Sequence, residues 1–192
     1  MNNTSSSYGY VSIFFHWVSA LTVFGLFGLG FYMVDLTYYD SWYKTAPDLH
    51  KSIGLIFFAF MLLRVLWRIK QVKPDHLASH GAFEKKAGKV IHGVLYLLIF
   101  IIMLAGYLIS TADGRGIEVF EIITVPAMGF SIENQEDIAG LVHEWLAYLL
   151  IVLATLHALA ALKHHVIDKD DTLNRMIGRS LKTENTNEKT IN

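Results

Sequence analysis

Four long apolar stretches constrain the fold of this chain more than any other feature of its sequence. They span residues 11–34, 53–67, 90–109 and 141–162. With bordering residues, each supplies the roughly 20 residues that a membrane-spanning helix needs. The sequence therefore predicts an all-α fold, a four-helix transmembrane bundle in contact with membrane lipid, with helices at about residues 10–35, 47–70, 88–110 and 138–166.

Residues 1–166 are predicted to form one membrane domain, and residues 167–192 a cytoplasmic tail. The end of this tail, residues 183–192, is rich in Asn, Thr and Glu and has the composition of a disordered segment. The first apolar stretch is too long for the apolar region of a secretory signal, and no Lys or Arg precedes it. We therefore expect it to remain in the mature protein.

The positive charges are distributed unequally between the two sides of the predicted bundle. Of the 16 Lys and Arg residues, all but Lys44, Lys51 and Arg115 lie beside the loop between helices two and three or beside the C-terminal tail. Cytoplasmic loops carry an excess of Lys and Arg, so this loop and both termini are predicted to be cytoplasmic. The outer side is acidic, and we expect the segment 111–137 to form a partly ordered cap.

Composition excludes several classes of function. The chain contains no cysteine, which rules out disulfides, thiolate iron–sulfur clusters, cysteine zinc sites and the thioether attachment of c-type haem. The net charge of −1 gives no basic field, so no nucleic-acid partner is expected. The nine histidines are unusual in so apolar a chain and require an explanation.

Two histidines of the fourth helix define two layers in the membrane. His143 and His157 are fourteen residues apart. At 100° per residue this separation is about 40° short of four turns, so the two side chains share a face about 21 Å apart along the axis. Polar side chains inside a bilayer are costly and tend to be functional. One haem group in each leaflet, each with one axial nitrogen from this helix, would explain the pair.

The depths of the other histidines predict their partners. His50 on helix two lies at the outer depth of His143. His16 on helix one and His92 on helix three both lie at the inner depth of His157, and spacing does not choose between them. By contrast, His76, His80 and His165 are interpreted as interfacial residues, and His164 as a weak ligand candidate beside Lys163.

Haem fits these histidines better than a bare metal ion does. A zinc or copper site gathers three or four ligands at one point, whereas these side chains occur as one pair in each layer. Two b-type haems need two axial histidines each. Glycines near the histidines, Gly54 and Gly30 among them, give room for a flat group, although such glycines are also common in membrane-helix packing. On the outer side, Lys51 and Arg115 are the best candidates to neutralise haem propionates.

Short motifs surround the histidines in a fixed order. They are Phe14 Phe15 His16 Trp17, His50 with Gly54, Ile91 His92 Gly93, His143 Glu144, Leu156 His157 Ala158, the run Leu162 Lys163 His164 His165, and Asp171 Thr172 Leu173 with Arg175 Met176. This ordered set, which covers nearly the whole membrane part, resembles the bacterial cytochrome b561 family of four-helix dihaem proteins in the inner membrane.

The resemblance implies specific ligands and a function. His16 and His157 would ligate the inner haem and His50 and His143 the outer one, which leaves His92 for hydrogen bonding, for quinone or for helix packing. The family moves electrons between an outer partner, superoxide being one associated donor, and the quinone pool, with ubiquinone as an acceptor. An electron carrier or a quinone-linked oxidoreductase is therefore expected, as a multi-pass protein of the bacterial inner membrane.

Two alternatives come from other functional classes. One is a histidine-lined metal transporter, and the other is a haem-bearing membrane anchor subunit of an outer dehydrogenase. A visible spectrum separates haem from transport, and co-purification of a soluble partner would favour the anchor. The sequence is also compatible with a homo-oligomer.

Overall fold

The computed structural model describes residues 2–77, 79–129 and 133–179. Four long helices dominate these residues, each long and apolar enough to cross a membrane. The elements, in chain order, are α1 (Tyr10–Met33), α2 (Thr45–Lys70), α3 (Ala82–Ser110), β1 (Ile117–Val119), β2 (Ile123–Val125), α4 (Gln135–Val166) and α5 (Thr172–Met176). The predicted all-α four-helix membrane fold is confirmed.

The largest difference from the predicted helix bounds is at the start of α3. This helix begins at Ala82, six residues before its expected start near residue 88. The Glu84 carboxylate accepts a hydrogen bond of 2.8 Å from the Gly81 N–H and so satisfies a backbone donor at the helix terminus. The first turns of α3 are polar. Hydropathy detects only the apolar part of a helix, so the predicted start of α3 is too late.

The core of the bundle lies midway along the helices. Its buried side chains come from α2, α3 and α4, and they are Phe57, Met61, Leu98, Ile99 and Leu150. On α4, Leu150 is seven residues from His143 and seven from His157, so this apolar core separates the two histidine layers. Large apolar side chains on the outer faces of all four helices are exposed, as a lipid environment requires.

A short β-hairpin covers the end of the bundle that is predicted to face outward. Strands β1 and β2 pair antiparallel with Val119 opposite Ile123. The turn places two consecutive residues, Phe120 and Glu121, at positive φ values of 50° and 59°, as in a type I′ turn. The Ser52 hydroxyl accepts a hydrogen bond of 3.1 Å from the Phe120 N–H and thus joins the hairpin to α2.

At the opposite end, which we call the inner end, the N-terminal segment, the α2–α3 loop and α5 are joined. The Trp17 indole N–H donates to the Met176 carbonyl at 2.7 Å. The Asp75 N–H donates to the Ser5 carbonyl at 2.7 Å, and the Arg175 guanidinium donates to the Asp75 carbonyl at 2.7 Å. The start of α1 and α5 therefore lie at the same end. That this end is cytoplasmic stays a prediction.

Candidate functional site

The outer layer contains one facing pair of histidines. His50 on α2 and His143 on α4 are half-buried, and their ring centres are 6.1 Å apart with the ring planes at 66°. Two glycines approach these rings from the other helices. A Cβ at Gly30 of α1 would lie 3.2 Å from His50 Cε1, and one at Gly106 of α3 would lie 3.1 Å from His143 Cε1. All four membrane helices thus contribute to the outer layer.

A backbone contact orients one ring of the outer pair. His143 Nδ1 lies 2.9 Å from the Ile102 carbonyl oxygen. A carbonyl only accepts, so Nδ1 carries the proton and Nε2 keeps its lone pair in the neutral ring. This is the arrangement in which a ligating histidine is normally held. His50 Nδ1 is buried, and it has no hydrogen-bond partner in the described part of the chain.

The inner layer contains three histidines. The ring centres of His16 on α1 and His157 on α4 are 6.4 Å apart, and those of His92 on α3 and His157 are 5.1 Å apart. All three rings are half-buried. The Arg64 guanidinium of α2 donates to His16 Nδ1 over a long 3.5 Å contact. Metal binding through Nε2 of His16 would replace this contact, because Nδ1 would then carry the proton.

The ring separations test whether the pairs fit an axially ligated metal. Two imidazoles on opposite sides of one ion, with metal–nitrogen bonds of about 2.0 Å, have ring centres about 6.3 Å apart. The separations of 6.1 Å for His50 and His143 and 6.4 Å for His16 and His157 match this value. The 5.1 Å between His92 and His157 is too short. Of these two inner separations, that of His16 and His157 is the one compatible with imidazoles on opposite sides of one ion.

The space beside the rings also fits a flat group. A Cβ at Gly54, one turn after His50, would meet no other described atom within 4 Å. Gly25 and Gly28 of α1 are also open, but they lie at exposed positions of the helix. The donor set contains imidazoles alone in each membrane layer. Porphyrin iron with two axial histidines is therefore compatible with both layers.

The two predicted propionate partners lie near acidic side chains. Lys51 Nζ is 2.8 Å from Asp48 Oδ1, and Arg115 Nε is 2.6 Å from Asp113 Oδ2. The hydrogen bonds from Arg115 lower the pKa of Asp113. The Arg115 side chain is 86% exposed and that of Lys51 36%, so Lys51 is the more sheltered cation.

Some contacts of the site were not predicted from the sequence. Among them are the Ile102 carbonyl and Gly106, which lie one turn apart on α3. On the inner side, Arg64 and Arg68 both lie over the Tyr96 ring, at 5.2 and 5.0 Å from its centre. Gly106 could have been found by its depth, which matches that of His143 on the neighbouring helix.

Comparison with known proteins assigns the family. Residues 7–179 match the family model of prokaryotic cytochrome b561. The chain is 50% identical over 178 residues to cytochrome b561 homolog 2 of Escherichia coli (strain K12), which covers 93% of this chain and 95% of the relative. It is 29% identical over 139 residues to the probable superoxide oxidase CybB of Yersinia pestis, with 72% and 77% covered. With its four membrane helices and paired histidines, the chain belongs to the prokaryotic cytochrome b561 family, the b-type electron-transfer cytochromes of the bacterial inner membrane.

Proposed function

We propose that this protein carries two b-type haems and transfers electrons across the inner membrane between an outer donor and the quinone pool. The observation that carries the proposal is the presence of two histidine pairs, with ring centres 6.1 and 6.4 Å apart, on opposite sides of an apolar core. Haem iron in each layer would supply one-electron chemistry by alternating between its ferrous and ferric states.

The groups around each histidine pair, backbone and side chain, set its electronic environment. The Ile102 carbonyl holds the proton of His143 on Nδ1 and so raises the basicity of Nε2. His50 and His143 hold the outer group, and His16 and His157 the inner one. Two imidazoles at each iron would leave no coordination position for oxygen. Phe57, Met61 and Leu150 exclude water between the layers.

The inner layer is the proposed place of quinone reaction. An open and almost wholly apolar groove of about 500 Å³ runs along one face of α3, and it is lined by Lys86, Lys89, Val90, Gly93, Val94 and Leu97. Its apolar lining suits the apolar tail of a quinone. The His92 ring lies on the interior side of α3, 5.1 Å from that of His157, and is proposed to donate or accept a hydrogen bond within the inner layer.

Superoxide is the first outer donor to test, because a relative is named a probable superoxide oxidase. Two superoxide anions would give up two electrons and leave as two molecules of O₂, while one quinone would take up two electrons and two protons to form quinol. Glu118 and Glu121 of the hairpin are exposed and repel an anion, whereas Lys51 and Arg115 attract it. The charges near the outer pair therefore control the rate with this donor.

A metal analysis and a spectrum test the cofactor part of the proposal. We expect a haem-to-protein ratio near two and sharp α and β bands on reduction, because two histidine pairs provide four axial nitrogens. A ratio of one after full reconstitution would contradict the two-layer assignment. The absence of these bands would favour the metal-transporter hypothesis. Co-purification of a soluble dehydrogenase would favour the hypothesis that the protein is a haem-bearing anchor subunit.

Thiol labelling tests the orientation. The chain has no cysteine, so single cysteines at Lys85 and at Asn134 give unambiguous signals. Lys85 lies at the start of α3 and Asn134 precedes α4, at opposite ends of the bundle. The charge asymmetry predicts that an impermeant reagent labels Asn134→Cys in intact spheroplasts and labels Lys85→Cys only after lysis. The reverse pattern would exchange the inner and outer layers.

A further inference from the structure

Two histidines and an aspartate meet at the inner end of the bundle, apart from both histidine pairs. His80 ends the α2–α3 loop, His164 lies in the last turn of α4, and Asp170 lies just before α5. His80 Nε2 is 3.0 Å from Asp170 Oδ2, and His164 Nδ1 is 3.7 Å from the same oxygen. The three side chains are no more than 16% exposed. Three separate segments thus bring three potential ligands together in a sheltered position.

We propose that His80, His164 and Asp170 form a binding site for a divalent transition-metal ion such as Zn²⁺. In a tetrahedral zinc site with bonds of about 2.0–2.1 Å, ligand atoms are about 3.3 Å apart. The observed distances of 3.0 and 3.7 Å lie on either side of this value, and all three donor atoms lie within 4.8 Å of one another. Two imidazoles and one carboxylate also suit zinc with a fourth position for water.

Two carboxylates lie near the buried His164 Nδ1. Asp168 Oδ2 is 2.7 Å from this atom and Asp170 Oδ2 is 3.7 Å from it. Asp170 Oδ2 already contacts His80 Nε2 and, at 3.3 Å, the Ser79 hydroxyl. A cation between the two rings, whose centres are 4.8 Å apart, would use the lone pairs of both.

A second set of potential ligands shares His164 but is less suited to a cation. It consists of Glu84, His164 and Asp168. Lys163 Nζ lies 2.6 Å from Asp168 Oδ2 and 3.9 Å from Glu84 Oε1, so these carboxylates already have a positive partner. The ion is therefore assigned to Asp170.

A metal ion at this position would fix the α2–α3 loop to the end of α4. His164 is seven residues from His157, about 10 Å along the helix axis. The ion would stabilise the inner end without contacting the membrane histidines. The site does not rest on the proposed electron-transfer function, because none of its ligands belongs to either histidine pair.

Equilibrium dialysis tests the site in the purified, haem-loaded protein without an affinity tag. After chelator treatment, we expect the parent to bind one Zn²⁺ per chain, measured by elemental analysis. His164→Ala and Asp170→Asn should weaken this binding at least ~100-fold, because loss of a direct ligand exceeds the 10–100-fold cost of losing an outer-shell partner. His76→Ala is the control and should change it less than ~3-fold, since His76 is exposed and lies outside the cluster. An unchanged haem spectrum checks that each variant is folded.

X-ray absorption at the zinc edge of the parent protein needs no variant. Two imidazoles in the coordination shell would support the assignment, and a shell of oxygens alone would overturn it. Equal zinc affinity in the parent and in both ligand variants would also overturn the proposal. Loss of binding in Asp168→Asn with full binding in Asp170→Asn would move the ion to the second set.

Discussion

At the outer end of the bundle two histidines face each other beside two glycines, whereas at the inner end three histidines lie beside two arginines. The outer contacts involve backbone: the Ile102 carbonyl lies 2.9 Å from His143, and Gly30 and Gly106 lie so near the rings that an added Cβ would be 3.1–3.2 Å from a ring carbon. The inner contacts come from side chains. Haem binding in the outer layer should therefore be sensitive to added side-chain volume near the rings. The properties of the inner layer should be sensitive to loss of a nearby positive charge.

Loss of an axial ligand is the largest effect expected in either layer. His157→Leu removes the ligand shared by every proposed inner pair and keeps the helix face apolar. The inner haem should be lost or become high-spin, so the haem-to-protein ratio falls from two toward one while the outer signal stays low-spin. Reduced-minus-oxidised spectra and electron paramagnetic resonance measure both quantities.

His92→Leu is the matched control for His157→Leu, because the 5.1 Å separation places His92 too close to His157 for the opposite axial position. Both low-spin signals should survive in this variant. If His92→Leu removed the inner signal while His16→Leu spared it, helix three would supply the ligand and the distance argument would be wrong.

An added side chain at Gly106 should disturb the outer layer alone. Even a single Cβ there would lie 3.1 Å from His143 Cε1 and 3.2 Å from its Nδ1, which is tighter than an ordinary contact. Gly106→Val should therefore reduce outer haem occupancy by about half or more, or broaden its low-spin signal, with the inner signal unchanged. Gly88→Val on the same helix is the control, because a Cβ there meets no described atom within 4 Å. Equal losses in the two variants would show that helix stability, not ring position, causes the effect.

The pairing of histidines could be predicted from the sequence because helical geometry is regular. A rise of 1.5 Å and a turn of 100° per residue fix the depth and the face of His143 and His157 once the helix is recognised. Depth in the membrane alone does not decide whether His16 or His92 is the partner of His157. Their distances from His157 depend on how α1 and α3 pack against α4, which no single-helix pattern contains.

The hairpin and the cluster of His80, His164 and Asp170 could not be predicted, for different reasons. A type I′ turn usually carries Asn-Gly or a similar pair, whereas here Phe120 and Glu121 adopt positive φ, so the usual signal is absent. His80 and Asp170 are ninety residues apart in the sequence and meet only because helices α3 and α4 run side by side. Such contacts follow from the packed bundle.

Removal of a positive charge should affect the inner layer more than the outer one. Arg64 is half-buried and contacts His16, while Arg68 is exposed. Arg64→Gln should lower the midpoint potential of the inner haem by ~50–100 mV, because a nearby cation disfavours the oxidised form and is poorly screened. Arg68→Gln is the control and should shift it by less than half as much. Redox titration followed at the α band measures both values, and an equal shift would mean that water reaches Arg64 as freely as Arg68.

The smallest effect is expected from the outer cations. Arg115 is 86% exposed and hydrogen-bonded to Asp113, whose pKa is lowered by that contact, so the carboxylate stays ionised and the pair is nearly neutral at pH 7. Arg115→Gln should therefore move the outer midpoint potential by less than ~15 mV in a redox titration at pH 7. Lys51 is paired with Asp48 in the same way, but it follows His50 in the sequence and is more sheltered, so Lys51→Gln should lower the same potential by ~20–40 mV. As pH falls through the lowered pKa of Asp113, its carboxylate becomes neutral, the Arg115 charge loses its partner, and the effect of Arg115→Gln should grow. A larger shift from Arg115→Gln than from Lys51→Gln at pH 7 would show that Arg115 leaves Asp113 to bind a propionate.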